Sequence, residues 1–192
     1  QSTPGIPGEV DGLDEFGAAL ACGDFDADGF DDLAIGVPQE DDEHTLDITR
    51  RVGTVVIVLG SASGLDPSRS ASFDQDTTGM AGSADEEDYF GTSLAVGDFD
   101  GDGHDDLAIG VPGEDLGGLV DCGNVGEVFG SAGGIDFARS QGWDEDRIFA
   151  AGYTETDDRF GQALAAGDFY RDGFDDLAIG HPGEDYWGAN DG

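Results

Sequence analysis

The sequence predicts an all-β chain of the β-propeller type, an incomplete ring of about three four-stranded antiparallel blades. Three segments align without a gap: FGAALACGDFDADGFDDLAIGVPQED from Phe16, FGTSLAVGDFDGDGHDDLAIGVPGED from Phe90 and FGQALAAGDFYRDGFDDLAIGHPGED from Phe160. Their starts lie 74 and 70 residues apart, a period that suits blades rather than helical solenoids. Within the second strand of each segment the large apolar residues recur with period two, as a strand requires. Glycine supplies 34 of the 192 residues, far above the average share of about 7%, which favours tight turns and short strands over helices.

Residues 1–15 read as the fourth strand of a preceding blade, because Ser2 to Glu15 resemble the segments before Phe90 and Phe160. Residues 16–89 form a first unit, 90–159 a second and 160–192 a truncated third. In the second unit, Phe90 to Phe99 reads as a first strand and Asp106 to Val111 as a second. Leu107, Ile109 and Val111 take one face of that second strand, and Ala108 and Gly110 the other. Both faces are apolar and one is slim, as a sheet sandwiched between neighbours needs. A third strand reads from Val52 to Leu59 and ends in the turn Gly60 to Gly64, and a fourth is expected near Met80, with Phe149 as its counterpart. Gly53 to Gly60 takes seven steps, whereas Gly126 to Gly130 takes four. The second unit's third strand therefore reads as short by three residues, a change a bulge or turn must absorb. The chain begins and ends inside blades, and such an arc cannot close alone. The expectation is a longer polypeptide or head-to-tail self-association.

The formal charge is -37, with seven Arg and no Lys, so nucleic acid and anionic membrane surfaces are excluded as partners. No segment approaches the ~18 apolar residues of a membrane span, and Gln1 does not open a signal peptide. The aspartate loops hold 14 of the 44 acidic residues. The remainder predicts a strongly solvated acidic surface, as in a secreted or salt-adapted protein. Two cysteines do not make a disulfide framework. Cys22 fills the slot of Val96 and Ala166, which reads as a small buried apolar position, and Cys122 lies in a loop. Spacing alone does not bring the two within bridging range.

The chemistry lies in the loops between first and second strands. Residues 24–32 and 98–106 both read DxDxDGxxD. Alternate carboxylates on a tightly curled loop can converge on a hard cation, which takes six to eight oxygens when it is Ca²⁺. By analogy with the EF-hand loop, the ligands are Asp24, Asp26, Asp28 and Asp32 with the Phe30 carbonyl, and Asp98, Asp100, Asp102 and Asp106 with the His104 carbonyl. An EF-hand would place a Glu twelfth, where these loops have Ile35 and Ile109 in strands, so the loops belong to hairpins. A plain Asp/Gly turn is the simpler alternative, but it leaves four or five carboxylates repelling one another without a cation. In the third loop Tyr170 replaces a carboxylate and Arg171 adds a positive charge. Asp168, Asp172 and Asp176 remain with the Phe174 carbonyl. Two strong Ca²⁺ sites and a weak or empty third are expected.

The Phe-Gly pairs at Phe16, Phe90 and Phe160, the aspartate loops, and the closing Gly36-Val37-Pro38, Gly110-Val111-Pro112 and Gly180-His181-Pro182 resemble the FG-GAP repeats of integrin α-subunit heads. The resemblance implies a propeller with calcium loops within its blades, serving extracellular or cell-surface adhesion or protein recognition. It does not identify a protein or glycan ligand. A lectin-like propeller is an alternative, with Trp143, Tyr153, Tyr186 and Trp187 as sugar-stacking candidates. A structural subunit of an extracellular assembly or filament is another. Catalysis is not expected. Of three His, His104 lies in a loop site, His44 in an acidic loop and His181 in a strand, and the turn at Gly60 has Ala62 where a nucleophile elbow needs Ser.

Overall fold

The computed structural model describes residues 4–7, 14–41, 51–149 and 152–184. Strands β1 (Ala19–Gly23), β2 (Asp32–Val37), β3 (Thr54–Val58) and β4 (Ser70–Phe73) form one four-stranded sheet in sequence order. Strands β5 (Ser93–Gly97), β6 (Asp106–Val111), β7 (Asn124–Phe129) and β8 (Asp136–Trp143) form a second, followed by the one-turn helix α1 (Glu145–Ile148). Strands β9 (Ala163–Gly167) and β10 (Asp176–Gly180) pair as the start of a third. Every pairing within the sheets is antiparallel, and corresponding registers repeat: Leu20 faces Ile35, Leu94 faces Ile109 and Leu164 faces Ile179. The array is open, an all-β arrangement of propeller blades that does not close into a ring.

The second strand of each full sheet is central and buried on both faces, which explains its near-continuous apolar sequence. Phe25, Val55, Ile57, Phe73, Phe90, Leu107, Ile109 and Val128 form one apolar cluster spanning the first two sheets. Ala95, Ala108, Val125 and Phe160, with Leu164 and Leu177, fill the join between the second and third. The Phe that opens the second and the third unit belongs structurally to the unit before it. The Phe90 N–H donates to Val52 O at 2.9 Å, and the Phe160 N–H to Cys122 O at 2.9 Å. The slim face also has a clear function. A Cβ on Gly36 would lie 2.1 Å from Gly91 O, and one on Gly110 would lie 2.0 Å from Gly161 O, so the backbones of adjacent sheets meet where only glycine fits.

Several sequence expectations need correction. The fourth strands lie at Ser70–Phe73 and Asp136–Trp143, not near Met80 and Phe149. Met80 closes a later turn, its N–H donating to Thr77 O at 2.9 Å, while Phe149 caps α1 and is exposed. The third strand of the second unit is not short. The counterpart of Gly53 is Gly123, not Gly126: the two have φ 82° and 84°, and they bridge to Phe90 and Phe160 respectively. Both stand seven residues before the closing Gly60 or Gly130, so no deletion exists. The irregularity in that sheet is a register shift between β7 and β8 at Glu127 to Phe129.

The cysteines also differ from expectation. Cys22 is exposed, on the open side of β1, and Cys122 is fully buried in the slot that Val52 occupies one unit earlier. Its thiol donates to Glu114 O at 3.3 Å, and both cysteines are free. The fourth strand expected within residues 1–15 falls mainly outside the described residues.

The glycine contacts give a paired prediction. Gly110→Ala should destabilise the fold by about 3 kcal/mol or more, because backbone rather than a movable side chain blocks the new methyl. Gly142→Ala, whose Cβ would meet nothing closer than 3.5 Å, should stay within about 1 kcal/mol of wild type. Equilibrium unfolding in denaturant measures both, and equal effects would refute this view of the join.

Candidate metal sites in the aspartate loops

Each aspartate loop is wound by its own carboxylates. The first-place Asp24 accepts from the N–H groups of Asp28 and Gly29, both at 2.9 Å. Asp98 accepts from Gly101, Asp102 and Gly103 at 2.8, 3.0 and 3.0 Å, and Asp168 from Asp172 and Gly173 at 3.0 and 3.1 Å. The fifth-place Asp28, Asp102 and Asp172 accept from the N–H groups of Phe30, His104 and Phe174 at 3.0, 3.0 and 3.1 Å. The residues expected to offer carbonyls thus stand at the same place in every loop.

The ninth-place carboxylate is buried and has a different task. Asp32 accepts from Phe25 N–H at 3.0 Å and Gly60 N–H at 2.7 Å. Asp106 accepts from Phe99 N–H and Gly130 N–H, both at 2.9 Å. One side chain therefore fixes the loop to the turn beyond the third strand. Burial pushes the Asp32 carboxyl above its ordinary range and lifts Asp106 to about 6, the two backbone N–H donors opposing the shift in each case. Asp102 moves the other way, held low chiefly by the His104 N–H.

Carboxylate oxygens of Asp24, Asp26 and Asp32 lie within 4.8 Å of one another, as do those of Asp98, Asp100 and Asp106. These are the first, third and ninth places of the two loops. The fifth-place Asp28 and Asp102 stand apart from the trios. Arg69 lies 2.8 Å from Asp26 and 3.6 Å from Asp28. Arg139 pairs with Asp100 in the same way and lies 3.5 Å from Asp102. In the third loop no comparable group of Asp168, Asp172 and Asp176 forms among the described residues. There Tyr170 is 81% exposed in the place of a ligand, and Asp176 spends one oxygen on the N–H groups of Phe169 and Tyr170, at 2.8 and 3.2 Å.

Sequence reasoning missed two parts of this arrangement. Arg69 and Arg139 each follow the closing glycine by nine residues, a spacing that marks them as equivalent. The second part is the eighth-place aspartate. Asp105 Oδ2 accepts from Asp24 N–H at 2.8 Å, and the Asp105 N–H donates back to Asp24 O at 3.2 Å. Asp175 makes the same exchange with Asp98, at 3.1 and 3.0 Å. The loops are thereby clamped to one another across successive units.

Asp106→Ala should destabilise the chain by about 2–4 kcal/mol in chelator alone, since it strands the buried Gly130 N–H and removes the bond to Phe99 N–H whether or not a cation is bound. Asp102→Asn should change stability in chelator by no more than about 1 kcal/mol. Denaturant titrations of both variants separate the architectural carboxylate from the peripheral one. Equal losses would contradict that division.

A family model for the FG-GAP repeat matches residues 16–58 and 90–129. The chain is 35% identical over 178 residues to integrin alpha-V of Gallus gallus, covering 88% of this chain and 14% of that protein. It is 33% identical over 171 residues to integrin alpha-PS2 of Drosophila melanogaster, covering 86% and 10%. It is 30% identical over 166 residues to phosphatidylinositol-glycan-specific phospholipase D of Bos taurus, covering 86% and 18%. The chain therefore spans less than a fifth of each of these relatives. Two of its units are thus FG-GAP repeats, the third repeats their sequence from Phe160, and the chain is similar to short stretches of integrin α subunits.

Proposed function

We propose that the chain is a calcium-stiffened, integrin-like propeller segment serving extracellular adhesion or protein recognition, without catalysis of its own. The observation that carries this reading is the pair of carboxylate trios placed at the clamped joints between blades. Three converging carboxylates in each trio suit a hard divalent cation, with the Phe30 or His104 carbonyl and water completing the shell. The same first-place aspartates, Asp24 and Asp98, hold the next unit through their backbone. A cation on their side chains would stiffen the joint as well as the loop.

Arg69 and Arg139 already meet the third-place carboxylates. Calcium would draw Asp26 and Asp100 from these guanidinium groups or share them. The third loop lacks both the trio and a third-place carboxylate, so its affinity would be the lowest.

Recognition would fall at the opposite end of the sheets from the aspartate loops. There a cleft of about 410 Å³ is lined by Glu40, Asp41, Asp74 and Asp76 among others, chemistry that suits a basic or cation-bridged ligand. The glycan reading has weaker support. Trp143 is occupied, its Nε1–H donating to Glu127 at 2.7 Å and its face covered by Arg147 at 4.3 Å. Tyr153 and Phe149 remain an exposed aromatic pair with centroids 6.0 Å apart, while Tyr186 and Trp187 lie outside the described residues. No helix among the described residues is long and apolar enough to cross a membrane. The open outer blades would be completed by more of a longer polypeptide or by a second copy joined head to tail.

At calcium concentrations near 100 times a Kd of about 10⁻⁴ M, each occupied site should stabilise the fold by about 2.7 kcal/mol. The melting temperature should rise by roughly 5–10 °C per site relative to chelator. Calorimetry should count two sites, with a third weaker by about tenfold or undetected. An unchanged melting temperature, or three equal sites, would overturn the proposal.

A further inference from the structure

The join between the second and third units is built from different side chains from the join before it. At the first join Gln75, buried after β4, donates through Nε2 to Glu114 Oε2 at 2.5 Å, and Val111 stands three residues before Glu114. At the second join Glu145 takes the place of Gln75, each lying 15 residues after the closing glycine of its unit. Glu184 takes the place of Glu114, and His181 that of Val111. A neutral amide facing one carboxylate has become two carboxylates with an imidazole between them.

The geometry of this trio is convergent. Glu145 is 1% exposed. His181 Nδ1 lies 2.5 Å from Glu145 Oε1 and 4.0 Å from Glu184 Oε2, and one donor atom from each residue lies within 4.8 Å of the other two. Despite that closeness, Glu145 Oε1 and His181 Nδ1 are buried atoms without a directed hydrogen bond. The imidazole ring is held edge-on to Phe160, with centroids 6.0 Å apart. Asp158, also buried at this join, adds a further negative charge close to Glu145. The site thus has a buried carboxylate oxygen pressed against an imidazole nitrogen without hydrogen-bond geometry, and a surplus of negative charge.

We propose that Glu145, His181 and Glu184 form a binding site for a divalent transition ion of the zinc class, separate from the aspartate loops. One imidazole nitrogen and two carboxylates make a donor set that suits zinc and its first-row neighbours better than calcium, which takes oxygens alone. At metal–ligand distances of about 2.0–2.2 Å, tetrahedral ligands lie about 3.4 Å apart. The 2.5 Å contact would open and the 4.0 Å one close, both by less than the reach of a rotating carboxylate. A fourth position is left for water or an incoming ligand. Since α1 follows β8 and His181 follows β10, the ion would pin the second unit to the third.

The test uses the whole chain with its aspartate loops saturated by calcium, titrated with Co²⁺ as a visible-light probe and then displaced by Zn²⁺. The expected result is one equivalent of Co²⁺ giving the absorption of a four-coordinate ion and lost on adding Zn²⁺. Glu145→Gln, His181→Val and the double variant, which rebuilds the first join, should each weaken binding by roughly tenfold or more. Calcium binding should be unchanged in all three. In the wild-type chain, which has only three His, Zn²⁺ should shift the ring-proton resonances of His181, a readout that needs no variant. Absence of a four-coordinate Co²⁺ spectrum, undiminished binding by the double variant, or unmoved His181 resonances would overturn the assignment and leave a plain buried His–Glu ion pair.

Discussion

The stacking depends on a two-way contact between consecutive aspartate loops. The eighth-place aspartate of one loop must take the first amide of the loop before it, while its own amide returns to that residue's carbonyl. This contact fixes how closely two blades approach at one end. At the other end Phe90 and Phe160 bond to the backbone of the preceding unit. With both ends fixed, the middle of the interface has no spare width, so Gly36 and Gly110 face backbone oxygens where a methyl would collide. The apolar cluster then fills what space is left. Two backbone contacts thus dictate where the sequence must be small and where it must be aromatic.

The same contact concentrates charge. To build the joint, the chain brings carboxylates of the first, third, eighth and ninth places into one short loop, and only some are neutralised from within. The ninth is paired with two N–H groups, the eighth with one from the neighbouring loop, and the third with an arginine from the fourth-strand region. The first is surrounded by N–H dipoles but by no full positive charge. The proposed divalent cation would answer this remaining excess directly, since hard oxygen ligands converge there. On this account metal affinity and blade stacking share the same residues.

Much of the fold was legible because the repeat is long and ungapped. The second strands Asp32–Val37 and Asp106–Val111 were readable to the residue, since both faces are apolar and aspartates mark their starts. The fourth strands were not. Ser70–Phe73 reads as Ser-Ala-Ser-Phe, with a single large apolar residue, because an edge strand buries little. Met80 looked more strand-like, yet it enters the core from a loop. Cys22 looked buried because its slot holds Val96 and Ala166, but burial there depends on which sheet lies outside, and sequence does not say. Of the site, the first, third and ninth carboxylates were legible from their spacing. The clamping and bracing roles of the eighth- and ninth-place aspartates, and the arginines, depend on contacts across up to 81 residues of sequence, which local patterns do not encode.

Amide hydrogen exchange tests the central claim most directly, because it reads the clamp between loops residue by residue. The N–H groups of Asp24 and Asp98 lie at the mouths of loops, yet they donate to Asp105 and Asp175 of the next unit. They should exchange as slowly as strand amides such as those of Ile35 and Ile109. The amide of Ala62, in an exposed turn on the same end of the first sheet, should exchange freely. If the Asp24 and Asp98 amides exchanged as fast as that of Ala62 in the folded chain, the loops would not be clamped to one another and the account would fail.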